Sequence, residues 1–440
     1  MKKILVLGAG LVSRPLIRYL LNVPEFEVTV ATRTVSKAEH LLEGHPRGKA
    51  VALNVENADE LRQMVSTCDL AISLLPYIHH VKVANLCIEF KKHMVTTSYI
   101  SPAMKALEEP AKAAGILILN EIGVDPGIDH MSAMRIIHAV ENKGGKVVSF
   151  KSYCGGLPAP EANTNPYGYK FSWSPRGVLM AGRNDAKYLE NGKVVDIPGK
   201  ELFKNRWPLT VEGMAFETYP NRNSLPYIET YGLKDTRTMF RGTIRNIGWC
   251  DTLFCIAKLG LLSDEKRSDL AGLTFDGLTR KLVMAKPGES TRAALKRHLG
   301  MDATDKVLTD LEWLGLTSTE TLPVTDPTLL DVMTARFLEK MSYAPQERDM
   351  IVLYHEFMAE YPGKKEKITS TLVDFGIPGG DSSMARTVSL PAAIATRLIL
   401  EGKIKLTGVL APVMPEVYNP VLDELETMDI ICKEQTFPVK

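Results

Sequence analysis

The sequence predicts an α/β protein: a parallel sheet with helices on both faces, followed by an α+β part with a mixed sheet and a small all-helical segment. Three observations predict it. Short β-branched runs alternate with helix-like segments from residue 3 to about 120. Those runs are nearly continuous in apolar residues, the mark of strands covered on both faces. After Gly123-Val124-Asp125-Pro126-Gly127 the alternation stops, and from about 262 to 342 the strand signal disappears.

The strands of the first part are expected at Lys3-Leu7, Glu27-Thr32, Lys49-Val55, Leu70-Leu75, His93-Thr97 and Ile116-Leu119. An amphipathic helix follows from Ile128 to Val140, closed by Gly144-Gly145, and a domain boundary is placed near 125. Next come a strand over Lys146-Tyr153, a Pro/Asn/Gly-rich loop over Gly155-Tyr169, a helix after Pro175 and a hairpin turn at Asn191-Gly192. Val307, Leu308, Leu311 and Leu314, then Leu329, Leu330, Met333, Phe337 and Met341, recur at helical spacing. Two further strands, Asp349-Phe357 and Lys367-Phe375, are joined around Tyr361-Pro362-Gly363 and are expected to return to the second sheet. A helix-like stretch from Arg386 precedes the Pro-punctuated Gly408-Val409-Leu410-Ala411-Pro412.

Composition narrows the function. The 440 residues carry 53 Lys+Arg against 52 Asp+Glu, so neither nucleic acid nor an anionic membrane has an electrostatic claim on the chain. With 45% apolar and 24% charged residues it is ordinary globular material, which excludes disorder, collagen and coiled coil. Six cysteines form neither a C-x-x-C pair nor a zinc-spaced cluster, so reduced thiols and no metal are expected. Met1-Lys2-Lys3 before Ile4-Leu5-Val6-Leu7 could open a signal peptide, but Gly8, Gly10 and Arg14 interrupt the run. A soluble, cytoplasmic protein acting on small molecules is the expectation.

Gly8-Ala9-Gly10-Leu11-Val12-Ser13 directly follows the first strand and opens a helix with Pro15 in its first turn. In a Rossmann dinucleotide turn, the first glycine permits the bend, the second lets the pyrophosphate approach, and the third allows close packing. Ser13 stands in the third place, where a small hydroxyl still packs and could cap the helix. A plain tight turn is the alternative reading, and the repeated βα context argues for nucleotide. At the second strand end, where a carboxylate would hold the ribose of NAD, the chain has Ala31-Thr32-Arg33-Thr34. Arg33 can grip a 2′-phosphate, which points to NADP(H).

Ligands of such sheets gather beyond the carboxyl ends of the strands. Those ends carry Asn54-Val55, Leu75-Pro76-Tyr77, Thr97-Ser98-Tyr99 and Asn120 through Asp125. Asp125 could orient an amine or cap the helix at Ile128. His79-His80 reads as a solvated helix start, and His130 as a packed or surface histidine. Cys154 is either a site thiol or a buried structural one. Arg222 and Arg245 sit in what reads as loop chemistry, and two guanidinium forks point to a substrate with several carboxylates.

Taken together, these segments resemble the saccharopine reductases, the NADP-dependent, glutamate-forming saccharopine dehydrogenases of lysine metabolism. The likeness runs along nearly the whole chain: Gly8 to Pro15, Val28 to Thr34, Val95 to Tyr99 and Asn120 to His130. It continues through Ser152 to Glu161, Gly168 to Ser174, Pro220-Asn221-Arg222 and Gly408 to Pro412. The resemblance implies an NADP-binding domain over residues 1–124, completed by about 386–440. It also implies a substrate and dimerisation domain over 125–261 with about 343–385, and a helical subdomain over 262–342 covering a cleft. Carried over by motif, Gly8, Gly10, Leu11, Val12, Arg33, Thr34, Asn54 and Val55 would meet the cofactor, with Thr97, Ser98, Val124, Asp125, Pro126 and Ser174. Saccharopine would meet Ser98, Tyr99, Asp125, Arg222, Thr243, Ile244 and Arg245.

The implied reaction joins 2-aminoadipate semialdehyde and glutamate as an imine that NADPH reduces to saccharopine, or the reverse, in a homodimer. Proton transfer falls to Asp125 and Tyr99, with Cys154 third. Two other readings remain: a carboxynorspermidine-type dehydrogenase acting on a diamine imine, against which the paired arginines count, and a non-catalytic NADP-sensing protein.

Overall fold

The computed structural model describes residues 1–323 and 328–439. The expected helical segment thus loses 324–327 from description, and the expected C-terminal segment loses residue 440. In chain order the strands are β1 (Lys2–Leu7), β2 (Phe26–Thr32), β3 (Gly48–Ala52), β4 (Leu70–Ser73), β5 (His93–Val95), β6 (Leu117–Leu119), β7 (Lys146–Pro158) and β8 (Ala186–Glu190). There follow β9 (Lys193–Ile197), β10 (Trp207–Val211), β11 (Met214–Pro220), β12 (Thr238–Arg245), β13 (Asp349–Tyr361), β14 (Lys364–Phe375), β15 (Gly408–Leu410) and β16 (Lys433–Val439). All six strands expected before residue 120 are present, with bounds shifted by a few residues.

The chain divides into two compact units: residues 1–147 with 359–440, and residues 148–358. In the first unit seven strands form a parallel sheet in the order β15-β6-β5-β4-β1-β2-β3. Strand alternation sends Leu5 and Leu7 into one core with Leu61, Val65, Val83 and Cys87 of the helices Ala58–Thr67 and His80–Phe90. Ile4 and Val6, pointing the other way, are equally buried. The order reverses between β1 and β4, so a crevice opens beyond their carboxyl ends.

The helix Ile128–Asn142 packs on the helix Pro415–Glu426 within this unit, with Arg135 bonded to Asp423 at 2.9 Å and Glu426 at 3.0 Å. With that packing the first compact unit runs to residue 147. Strands β13 and β14 are neighbours in the second sheet, as expected, and β14 also pairs antiparallel with β16.

The second unit is built on the order β10-β11-β12-β7-β13, with β12 and β7 parallel and β10-β11-β12 antiparallel. Asn191 and Gly192, with φ of 50° and 79°, form the turn between β8 and β9 as expected. β7 runs on to Pro158 because Gly155 lets β12 approach: a Cβ there would lie 2.5 Å from the Ile244 carbonyl oxygen. The described helices between 275 and 340 start at side-chain caps, Thr274, Ser290, Thr304 and Thr328, the last with Asp331 as a capping box. They fall within this unit. Tyr167 meets Phe337 at 5.7 Å and Tyr169 meets Trp249 at 4.7 Å, which explains the aromatic spacing of the Gly168 segment.

Candidate active site

The turn after β1 is shaped as a phosphate site. Gly8 has φ of 112°, and a Cβ on it would lie 3.0 Å from the Leu74 carbonyl oxygen, so only glycine makes this bend. A Cβ on Gly10 would meet no protein atom within 4 Å, which leaves the room a pyrophosphate requires. Leu11 is 70% exposed beside it. Ser13 does not cap the helix Ser13–Asn22, whose N-cap is Val12 without a side-chain bond. Its Oγ instead accepts the Gly10 N–H at 3.0 Å, bracing the turn. Beyond β2, Arg33 and Thr34 are exposed, and no carboxylate lies between Thr32 and Val35. Asn54 Oδ1 accepts from the Glu56 N–H at 3.2 Å, and the Val55 carbonyl accepts from Lys82 Nζ at 2.6 Å. These residues fit an NADP molecule, whose 2′-phosphate Arg33 would be free of carboxylate competition to hold.

The ends of β4 and β5 are joined by a histidine. His80 is 4% exposed, not solvated as expected. Its Nδ1 is 2.8 Å from Ser73 Oγ, and its Nε2 is 2.8 Å from Ser98 Oγ. Burial, with a smaller contribution from His79, lowers its pKa to about 4. Thr97 packs below, and a Cβ on Gly123 would sit 3.3 Å from its Cβ.

Tyr99 donates its hydroxyl to Asp125 Oδ1 at 3.3 Å, so two expected site residues from separate strand ends meet. The turn below is tightly tied: Gly123 N–H donates to the Pro126 carbonyl at 2.8 Å and Asp129 N–H to the Val124 carbonyl at 3.0 Å. The helix from Ile128 has Gly127 as N-cap and no side-chain cap, and Gly127 N–H donates to Asp129 Oδ1 at 2.5 Å. His130 is fully buried, with Nε2 2.7 Å from Glu121 Oε2.

In the second unit, Cys154 and Thr243 are register partners on β7 and β12, and Ile244 and Arg245 follow on β12. The Arg241–Arg245 segment is therefore a strand between two others and not a loop. Its side chains are packed. Arg241 lies over the Tyr227 ring at 4.3 Å, and Arg245, 6% exposed, lies over Tyr169 at 5.0 Å and Trp249 at 5.5 Å. Arg245 Nη1 donates to the Ile244 carbonyl at 2.8 Å, while Nε is buried without a partner. Glu217, opposite in register, is occupied by Arg206 at 3.2 Å and the Cys250 N–H at 2.7 Å. Arg222, exposed, follows β11 in a left-handed turn with φ of 54°. Ser174 caps the helix Pro175–Ala181 by accepting from the Gly177 N–H at 3.2 Å.

Reading by motif passed over Ser73, His80 and Glu121. The available signals were a histidine just past an apolar strand and a charged residue ending the Ile116-Leu117-Ile118-Leu119 run. Among the described residues, no three His, Cys, Asp or Glu groups come together in a way that could hold a metal ion. No described helix is long and apolar enough to cross a membrane.

A phosphate turn at the switch point of a parallel sheet, an arginine placed for a 2′-phosphate, and a second unit with a buried guanidinium define an NADP-dependent oxidoreductase of two-unit design. The saccharopine dehydrogenase NADP binding domain model matches residues 4–119, and the saccharopine dehydrogenase C-terminal domain model matches residues 123–431. The chain belongs to the saccharopine dehydrogenase family. It is 43% identical to the NADP(+), L-glutamate-forming saccharopine dehydrogenase of Schizosaccharomyces pombe over 449 residues, 99% of each chain. It is 40% identical over 446 residues to mitochondrial alpha-aminoadipic semialdehyde synthase of Mus musculus, covering 99% of this chain and 48% of that protein. The apo saccharopine dehydrogenase (L-Glu forming) of Saccharomyces cerevisiae superimposes with a TM-score of 0.90 at 40% identity, over 99% of this chain and 100% of that one.

Proposed function

We propose that this chain reduces the imine of L-2-aminoadipate 6-semialdehyde and L-glutamate to L-saccharopine with NADPH, or runs the reverse. The observation that carries the reading is Arg245. This residue is 6% exposed, with no carboxylate within salt-bridge distance among the described residues. A buried cation left this way calls for an anionic ligand, and saccharopine brings three carboxylates. Arg222 would grip another of them from its exposed turn.

The balance is simple: aldehyde and amine lose water to form the imine, and a hydride with a proton completes the new C–N–H group. Bound NADPH supplies that hydride. The protein's share is orientation, worth roughly 7–11 kcal/mol for well-placed reactants. Asp125 takes the proton that the attacking amine releases, Tyr99 holds that carboxylate in place, and Ser98, fixed by His80, offers a further hydroxyl. Cys154 lines the β7 side near Thr243. A homodimer in the cytosol completes the proposal. The dimer rests on the family resemblance, and the cytosolic placement on six cysteines outside any disulfide.

The test follows NADPH absorbance with the purified chain, the semialdehyde, and either glutamate or a diamine. Turnover with glutamate and NADPH is expected. Turnover with the diamine alone, or equal rates with NADH, would overturn the reading.

A further inference from the structure

Glu121 ends β6's run in a conformation that side chains rarely adopt. Its φ is 57°, in the left-handed region, and it is 6% exposed. Left-handed backbone is strained for a non-glycine residue, and such strain persists where the surroundings over-determine it. Here they do. The Glu121 N–H donates to the Ser98 carbonyl at 3.1 Å, and Oε1 accepts the Ile100 N–H at 2.8 Å. Tyr99 is thus bracketed on both sides by one residue. The other oxygen, Oε2, lies 2.7 Å from His130 Nε2, on the first turn of the helix that closes the Asp125–Gly127 turn. His130 Nδ1 in turn lies 3.7 Å from Asp129 Oδ2, and Asp129 Oδ1 holds the Gly127 N–H.

We infer that Glu121 is a positioning residue: it clamps the Tyr99 segment to the Asp125 turn and thereby sets the Tyr99–Asp125 hydrogen bond. The inference rests on the reading that Tyr99 and Asp125 serve the chemistry. Without the carboxylate the loops after β5 and β6 keep their backbone bonds, Glu121 to Ser98 and Ile122 to Thr96, but lose the tie from Ile100 to His130, and the hydroxyl and carboxylate drift by fractions of an ångström. Misplacement of about 1 Å can cost 100-fold in rate, so the consequence falls on kcat rather than on cofactor affinity.

The experiment compares Glu121→Asn, Glu121→Gln, Tyr99→Phe and the Glu121→Asn/Tyr99→Phe double variant. Asn takes left-handed backbone readily but is one methylene short of both partners. Gln keeps the acceptor for Ile100. Glu121→Asn is expected to lower kcat about tenfold or more while the NADPH Kd stays within about twofold, and Glu121→Gln to recover most of that loss. In the double variant the two losses should fail to add, because each removes the same aligned pair. Should Glu121→Asn not bind NADPH, Glu121→Asp takes its place, keeping the charge but withdrawing it from Ile100, with the same non-additivity expected. Additive losses, or kcat within about twofold of the parent chain, would overturn the inference. If Tyr99→Phe and Asp125→Asn both leave kcat unchanged, the underlying site reading fails instead, and the two failures are told apart.

Discussion

His80 and Ser98 are joined by a 2.8 Å hydrogen bond across the carboxyl ends of β4 and β5, with Ser73 Oγ at the same distance on the ring's other nitrogen. A neutral imidazole carries one N–H, so one serine donates to the ring and the other accepts from it. Protonation would make both nitrogens donors and turn a hydroxyl away.

This arrangement makes stability depend on pH in a defined window. His80 has a folded pKa lowered to about 4, chiefly by burial, against 6.5 for the free side chain. The unfolded chain therefore takes up the proton first as pH falls below 6.5, and the native state loses roughly 3 kcal/mol of relative stability by pH 4. His80→Asn should flatten that part of the profile. Urea unfolding at pH 7 and pH 4.5 measures it, and equal pH slopes in both proteins would exonerate the histidine.

Arg245 separates stability from function. Replacing a buried charge that lacks a carboxylate partner by an apolar side chain of similar length is often neutral or stabilising. Arg245→Met is expected to keep or raise the Tm while increasing the KM for saccharopine at least about tenfold, one charge-assisted bond being worth about 1.5–3 kcal/mol. Arg222→Ala, at an exposed position, should raise the same KM by a similar factor with the Tm unchanged. Calorimetry and steady-state kinetics on the two variants check both statements.

Arg33, exposed beyond β2, is the side chain proposed to meet the 2′-phosphate. Arg33→Ala should raise the KM for NADPH about 10- to 100-fold and leave that for NADH within about twofold. A proportional loss with both cofactors would mean that the side chain does not meet the 2′-phosphate.

Two glycines should respond in opposite ways. A Cβ on Gly10 meets nothing within 4 Å, so Gly10→Ala should fold normally yet bind NADPH about tenfold more weakly, as the methyl occupies the pyrophosphate's place. Gly127 has φ of 149°, and a Cβ on it would lie 2.0 Å from the Gly123 carbonyl oxygen. Gly127→Ala should therefore cost at least about 2 kcal/mol of stability. Thermal unfolding beside fluorescence titration with NADPH distinguishes the two.

Much of the fold was legible because it is written in short-range signals. The continuous apolar runs of β1 to β6, the Ser13-Pro15 helix start, the Asn191-Gly192 turn and the helical spacing of Val307 to Leu314 and Leu329 to Met341 each depend on neighbours within a few residues. That the helix Ile128–Asn142 packs against Pro415–Glu426 was not legible, because nothing near residue 125 announces a partner about 290 residues away. The β12 segment read as a loop because Arg241, Gly242 and Arg245 are poor strand formers, and the aromatic faces of Tyr227, Tyr169 and Trp249 that cover the arginines come from elsewhere in the chain.

By itself, then, the sequence determined a parallel nucleotide-binding sheet, the tight turn at Gly8 and Gly10, the absence of a carboxylate beside Arg33 at the end of the second strand, and the set of polar residues available at the strand ends. Tertiary structure alone decided which of them work together. Ser73, His80 and Ser98 converge, Glu121 ties Ile100 to His130, and Arg245 is buried without a carboxylate partner. The physical reason is that burial and hydrogen-bond pairing depend on which elements pack together, and those partners lie tens of residues apart along the chain or across strand ends that no local pattern connects.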